Sequence, residues 1–468
     1  MNHHLVCMTN LVRLGRTSLH HSIHSFRVVL PRCASTITER RFIPSRLDEI
    51  ECVEEYRPGG FHPIVLGDLF AHGRYRVIHK LGFGGSSTIW LARDQQRSGG
   101  LVTFKALRAD VSSKPLDEIP ELVVPKSLQI AFPDSDGDFQ TIEDHFIVRG
   151  PNGTHLILIS PLAGPSVLAM SDSPGRVSGS RRLRGDLARK VAKETAKAIY
   201  RMHSAGWVHG DLTTSNILFR VSEAVRRWSD AEVYAHLGLP ETEEVRTHGG
   251  QPRGIHVPPE LVGPVENSKF VHASHLQESV MISDFGQSYV TVSPRRDYQP
   301  GTVLNYLPPE TRFEGRTGLA ADVWALGCAI FEIRAGCPLF DSFFGSDTDI
   351  LVQTVETLGR LPDPWWGSFE ERTLWFEEDG EPKSVEAQER ADVLLEASKS
   401  SIGEKLRSIG TQDDPPYSDE GPMVEKSRVR LDEEEVELLG DLLHKILRYR
   451  PEERIGMREV VEHPWFTL

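Results

Sequence analysis

From Tyr75 onward, short runs rich in apolar, branched and aromatic residues are strand-like. Tyr75-Arg76-Val77-Ile78-His79-Lys80-Leu81 is the first such run. Ser87-Thr88-Ile89-Trp90-Leu91-Ala92 is the second, and Leu101-Val102-Thr103-Phe104-Lys105-Ala106-Leu107 the third. Branched and aromatic residues suit a pleated surface, and the glycines between the first two runs mark a turn. His145–Val148 and His155–Ile159 flank Pro151-Asn152-Gly153, a hairpin signal. The first third of the chain therefore predicts a small antiparallel sheet. The period then changes to that of helices. Asp186 is placed to N-cap a helix whose apolar residues are Leu187, Val191, Ala198, Ile199 and Met202, with Gly206 to end it. Ala320 to Ala335 is apolar on most sides apart from Asp322, Glu332 and Arg334, which predicts a buried helix. Residues 434–448 form an amphipathic run. Residues 1–55 read as tail and linker, and residues 222–280 and 367–432 as insertions, because compact domains rarely carry such long connections.

Composition narrows the class. The chain has 468 residues, 39% of them apolar, which allows a sizeable core and one two-lobed enzyme or two to three domains. Its net charge of −14 argues against direct nucleic-acid binding and against anionic membranes, since both need a positive field. No apolar run is long enough to span a membrane. The charge is uneven. Residues 1–38 hold four arginines (Arg13, Arg16, Arg27, Arg32) and no acid, so residues 39–468 carry −18. An Arg-rich, acid-free leader has the composition of a mitochondrial transit peptide or of a disordered basic tail. Five cysteines (Cys7, Cys33, Cys52, Cys328, Cys337) without a C-x-x-C pair suggest reduced thiols in a cytoplasmic or nuclear protein.

The chemistry starts at Gly82-Phe83-Gly84-Gly85-Ser86-Ser87-Thr88-Ile89, where glycines let backbone approach phosphates. It lacks the G-K-[ST] of a P-loop. Lys105 stands in an apolar strand, where an ammonium needs a carboxylate, and Glu121 is the candidate with Glu118 as the runner-up. His209-Gly210-Asp211-Leu212-Thr213-Thr214-Ser215-Asn216 follows a helix. Ser283-Asp284-Phe285-Gly286, Tyr306-Leu307-Pro308-Pro309-Glu310 and Asp322-Val323-Trp324 come after it. Asp211 suits a residue that accepts a hydroxyl proton, while Asn216 and Asp284 offer oxygens to Mg²⁺.

Glycine turn, strand lysine, H-x-D-x4-N, D-F-G and P-P-E in that order resemble eukaryotic-type protein kinases over about Tyr75 to Phe466. Gly59-Gly60-Phe61-His62-Pro63, Lys80-Leu81-Gly82-Phe83-Gly84 and Ser87-Thr88-Ile89-Trp90-Leu91 resemble the SR-protein kinase (SRPK) family, especially its divergent fungal branch. The resemblance implies a bilobal α+β fold: a lead-in at 56–74, a β-rich N-lobe at 75–162 and a helical C-lobe at 163–466. It implies transfer of the γ-phosphoryl group of ATP, with Mg²⁺, to serine or threonine in a protein substrate. Arg/Ser-rich chains are its expected substrates, and the kinase is expected to be a monomer. ATP would lie against Gly82, Phe83, Gly84, Gly85, Ser86, Ser87, Ile89, Lys105 and Ala163. Lys105 would pair with Glu121, Asp211 would be the base, and Asn216 and Asp284 would hold metal. Phe285, Gly286, Glu310, Asp322 and Arg454 would be structural, with Arg454 bracing Glu310.

The chain departs from the family pattern at several positions. Gly210 replaces the usual arginine before the base, which removes the charge partner of a phosphorylated activation loop and implies activity independent of one. Thr213 replaces the catalytic-loop lysine. Thr103 stands where a small apolar residue is usual, and Ser160 at the gatekeeper. Pro125 falls within the helix that carries Glu121. Two other readings stay open on these residues: a pseudokinase scaffold, and a small-molecule kinase of the aminoglycoside or choline type.

Overall fold

The computed structural model describes residues 40–96, 99–134, 137–171, 179–291, 300–341, 345–413, 415 and 421–468. The leader at 1–38 lies outside them. Among the described residues no helix is long and apolar enough to cross a membrane.

The strand-like runs form one six-stranded antiparallel sheet. Its strands are β1 (Leu69–Phe70), β2 (Tyr75–Phe83), β3 (Ser87–Asp94), β4 (Leu101–Leu107), β5 (Asp144–Gly150) and β6 (Gly153–Pro161), in the order β1-β2-β3-β4-β6-β5. Register places Ile89 opposite Lys105 and Thr103 opposite Ser160. One face of the sheet buries Val77, Trp90, Val102, Phe104, Ile157 and Ile159 together. The helix Pro120–Ala131 packs beside it. A strand β7 (Ala163–Ser166) then leads into the helical part. There β9 (Ile217–Val221) pairs with β7 and with β12 (Leu276–Ile282), and β8 (Trp207–Val208) pairs with β13 (Tyr289–Val290). The arrangement is α+β, as the period change predicts.

The helix Leu319–Ala335 is the axis of the helical part, and thirteen of its residues are buried. Its three polar exceptions are buried with partners, as interior charges must be. Asp322 meets the 209–210 backbone. Glu332 accepts the Tyr306 hydroxyl. Arg334 is bidentate to Glu435, at 2.8 and 2.9 Å. The amphipathic run at 434–448 is the helix Glu433–Ile446, capped by Asp432, whose side chain accepts Glu435 N–H at 2.7 Å. Trp365 and Trp366 bury themselves against Leu351, Val355, Leu361 and Phe376, so they serve their own domain.

Four expectations change. The helix expected from Asp186 begins at Gly185 with Arg184 as its cap residue; Asp186 sits inside the first turn and binds the Arg184 guanidinium instead. Residues 40–55, read as tail, are packed. Phe42, Val53, Tyr56 and Phe61 form a core with Val245, Val257 and Leu261, which belong to the first presumed insertion. Sparse apolar residues on two distant segments make one core that neither shows alone. That insertion also ends earlier than residue 280, because Leu276–Ile282 is a strand paired with β9. Finally, Cys52 is disulfide-bonded, whereas Cys328 and Cys337 are free. Cysteine spacing carries no signal for which distant thiols meet.

Candidate active site

The glycine turn joins β2 to β3. Gly84 N–H donates to Ser87 O at 2.8 Å, which closes the hairpin. A Cβ at Gly82, Gly84 or Gly85 would meet nothing within 4 Å, so the turn faces open space on that side. Gly82 and Phe83 end β2, Gly85 and Ser86 are in the turn, and Ser87 and Ile89 lie in β3. Ala163 is buried at the start of β7, beyond the sheet. Thr103 and Ser160, the two atypical residues, face each other across β4 and β6 and are both buried.

Lys105 projects from β4 opposite Ile89. Its Nζ lies 2.6 Å from Glu121 Oε1 and 3.0 Å from Asp284 Oδ1. Burial works against the ammonium, but Asp284 and Glu121 outweigh it and raise the Lys105 pKa. Pro125 lies inside the helix Pro120–Ala131 and lacks the N–H that would reach the Glu121 carbonyl one turn back. The helix continues regardless, and the Glu121 side chain stays 5% exposed and on Lys105. Glu118, the runner-up, is exposed on the preceding short 3-10 turn.

The catalytic-loop candidates are fixed by backbone. Asn216 Nδ2 donates to Asp211 O at 2.7 Å and to Asp211 Oδ2 at 3.2 Å. Asp211 N–H donates to His209 Nδ1 at 3.2 Å, and His209 Nε2 lies 3.2 Å from Ser283 O. One imidazole thereby spans both loops, with its proton on Nε2. Ser283 N–H donates to Asn216 O at 2.9 Å, so Asn216 and Asp284 come from neighbouring segments of the chain. Asp284 has φ +60°, a left-handed conformation costly for a residue with a Cβ. The turn projects its carboxylate, 47% exposed, toward Lys105 while Phe285 packs inward near Phe139 and His209. Gly286 follows directly, and a Cβ there would lie 3.4 Å from Glu121 Oε1 and 3.6 Å from Asp284 Oδ1. Lys105 chiefly holds the Asp284 pKa below the ordinary carboxylate range. Burial raises that of Asp211; Asp284 raises it further, against hydrogen bonds from Thr302 and Asn216.

Beneath the loop, Asp322 accepts His209 N–H at 2.7 Å and Gly210 N–H at 2.9 Å, with His203 Nε2 3.0 Å away. Gly210 itself has φ +79°, which glycine adopts without cost. Glu310 and Arg454 form a buried bidentate pair, both bonds 2.6 Å. The Thr213 hydroxyl lies 2.6 Å from that of Ser215, and the side chain carries no charge. The structure thus brings Lys105, Glu121, Asp211, Asn216 and Asp284 to one cleft below the glycine turn. Sequence reasoning missed His209 as the bridge, His203 as a third partner of Asp322, and Thr302 beside Asp211. Only the histidine next to the base carried a signal.

Among the described residues no group of three or more His, Cys, Asp or Glu is disposed to hold a metal by itself. This donor set still suits Mg²⁺, which takes one or two carboxylates and completes its shell with phosphate and water.

Comparison with known proteins agrees with this geometry. Residues 270–466 match the protein kinase domain family. Residues 170–232 match the lipopolysaccharide kinase (Kdo/WaaP) family. Serine/threonine-protein kinase SRPK of Physarum polycephalum is 23% identical over 90% of this chain and 92% of its own length. Protein kinase dsk1 of Schizosaccharomyces pombe is 24% identical over 67% of this chain and 71% of its own. Serine/threonine-protein kinase spk-1 of Caenorhabditis briggsae reaches 33%, over 37% of this chain and 15% of that protein. With its glycine turn, its ion-paired strand lysine and its carboxylate loop, this chain is similar to SRPK-type serine/threonine protein kinases.

Proposed function

We propose that the cleft transfers the γ-phosphoryl group of ATP to a serine or threonine hydroxyl in Arg/Ser-rich protein chains, and that the protein works as a monomer. The observation that carries this reading is the Lys105–Glu121–Asp284 cluster standing over Asp211 and Asn216. Mg²⁺-bound ATP supplies the electrophilic phosphoryl group and the charge neutralisation. Lys105 binds the α- and β-phosphates, and Glu121 keeps its ammonium from collapsing onto Asp284 alone. The glycine turn, Ile89 and Ala163 would line the nucleotide site. Asn216 spends its amide nitrogen on Asp211, and its carbonyl oxygen and the Asp284 carboxylate would hold the metal. Asp211 orients the attacking hydroxyl and takes its proton as the new O–P bond forms and the bond to the ADP oxygen breaks. A raised carboxylate pKa makes it a better base. In-line positioning and charge stabilisation supply most of the acceleration. Thr213 leaves one cationic contact to the phosphoryl group unfilled, which lowers the rate without removing the reaction.

Arg/Ser-rich substrates fit the −18 charge of residues 39–468, which favours a basic peptide. The names of the relatives point the same way. Matching of residues 170–232 to the lipopolysaccharide kinase family keeps a small-molecule acceptor as the second reading. Against it stands the buried Glu310–Arg454 pair under the P-P-E segment, which supports a peptide platform. The test is a positional-scanning peptide assay on the purified chain with Mg²⁺-ATP, alongside Asp284→Ala. Phosphorylation with arginine preference, abolished in the variant, is the expected result. Full activity of Asp284→Ala overturns the assignment of the metal site. Transfer to choline or an aminoglycoside with none to any peptide overturns the substrate class, and no transfer at all leaves the scaffold reading.

A further inference from the structure

A second ammonium lies deeper than Lys105 and takes no part in the transfer just described. Lys80 stands in β2 two residues before Gly82, and its side chain is wholly buried. Its Nζ pairs with Glu51 Oε2, while Glu51 Oε1 accepts the Tyr56 hydroxyl. The ammonium lies 5.5 Å from the centre of the Trp90 ring and 6.0 Å from that of Phe83, the residue between the first two glycines of the turn. Burial lowers the Lys80 pKa and Glu51 opposes that shift. A buried ammonium stripped of its carboxylate is among the costlier defects a fold can carry.

The same short segment reaches the other side of the hairpin. Glu55 Oε2 binds Arg108 Nη1 at 2.8 Å, and Arg108 N–H donates to Ser86 O, inside the glycine turn, at 2.9 Å. Next to it, Ala109 N–H and Asp110 N–H donate to the carbonyls of Gly60 and Gly59 at 3.0 and 2.9 Å. The turn itself has open surroundings at Gly82, Gly84 and Gly85. It is held at both ends, and both holds trace to residues 51–60.

We propose that residues 51–60 brace the glycine turn, with Glu51 and Glu55 as positioning residues that set its height over the nucleotide. The proposal rests on the nucleotide-binding reading of that turn. It assigns a task in catalysis to a segment outside the sheet and away from the transferred group.

The test uses the full chain with two variants, Glu51→Gln and Glu55→Gln. Amide hydrogen exchange reads the turn with no nucleotide present, and equilibrium binding of a non-hydrolysable ATP analogue with Mg²⁺ reads its function. Glu51→Gln is expected to speed exchange at residues 82–87 about fivefold or more, leaving the helix Leu319–Ala335 unchanged. It is also expected to weaken nucleotide binding about tenfold, with the Michaelis constant for peptide held within about twofold. Glu55→Gln, at the more exposed anchor, shows the same pattern at about threefold, and decides the matter if Glu51→Gln does not fold. Wild-type exchange at 82–87 and wild-type nucleotide affinity in the folded variants overturn the brace. So does a mere loss of active fraction at unchanged affinity. If the wild-type chain binds no nucleotide, the kinase reading of the site fails, and the exchange measurement alone still decides the brace.

Discussion

Replacing Asp322 by asparagine changes one atom and leaves the shape. In the native protein its carboxylate accepts two backbone N–H groups and a histidine, at 2.7, 2.9 and 3.0 Å, and it is 2% exposed. An asparagine amide must turn its NH₂ toward one side. The less costly choice faces it at Gly210 N–H, donor against donor, and keeps the oxygen on His209 and His203. The Gly210 N–H is then buried without an acceptor, at about 1–3 kcal/mol. The two remaining bonds lose their charge assistance, roughly half their strength each. The sum is about 3–5 kcal/mol, which the loop can relieve only by moving. Asp211 follows immediately in the chain and moves with it. A displacement of ~1 Å at a reacting group costs on the order of 100-fold in rate. Asp322→Asn is therefore expected to lower kcat about 100-fold in a steady-state peptide phosphorylation assay. Nucleotide affinity, set on the sheet, changes by less than about threefold. His203→Ala, which spares both backbone bonds, has a much smaller effect. A kcat within about threefold of wild type in a folded Asp322→Asn protein would refute the reasoning.

Three further outcomes follow from the same geometry. The raised pKa of Asp211 in the unliganded protein places the acid limb of kcat/KM above the ordinary aspartate value of ~3.9, and activity is lost as pH falls through the raised value and the base is protonated; a kcat/KM profile with its acid limb at or below ~3.9 contradicts this. Gly210 offers no cation to a phosphorylated activation loop, so phosphatase treatment is expected to leave kcat unchanged, and a loss of about tenfold rejects that expectation. An acidic body that attracts Arg-rich peptides makes their Michaelis constant climb between about 0.05 and 0.5 M salt, through screening; a flat response removes long-range charge from substrate selection.

What the linear chain determined is whatever depends on short spacing. Branched and aromatic residues over 75–81, 87–92 and 101–107 specify three strands, because such side chains fit a pleated surface. The apolar run from 320 to 335 specifies a helix buried all round. Asp211 and Asn216, five apart, and Asp284 beside Phe285 are legible because the loops carrying them are local constructions. Partners far apart in the chain are not. Whether Glu118 or Glu121 meets Lys105 was decided by packing, which buries the second and leaves the first in water despite Pro125. The packing of residues 40–61 against 245–261, the Glu51–Lys80 pair and the reach of Asp322 back to the 209–210 backbone across more than a hundred residues all belong to tertiary structure. Periodicity tells each segment which face to bury. Only the closed fold, where every interior charge must find its counter-charge or be expelled, settles which distant residue covers it.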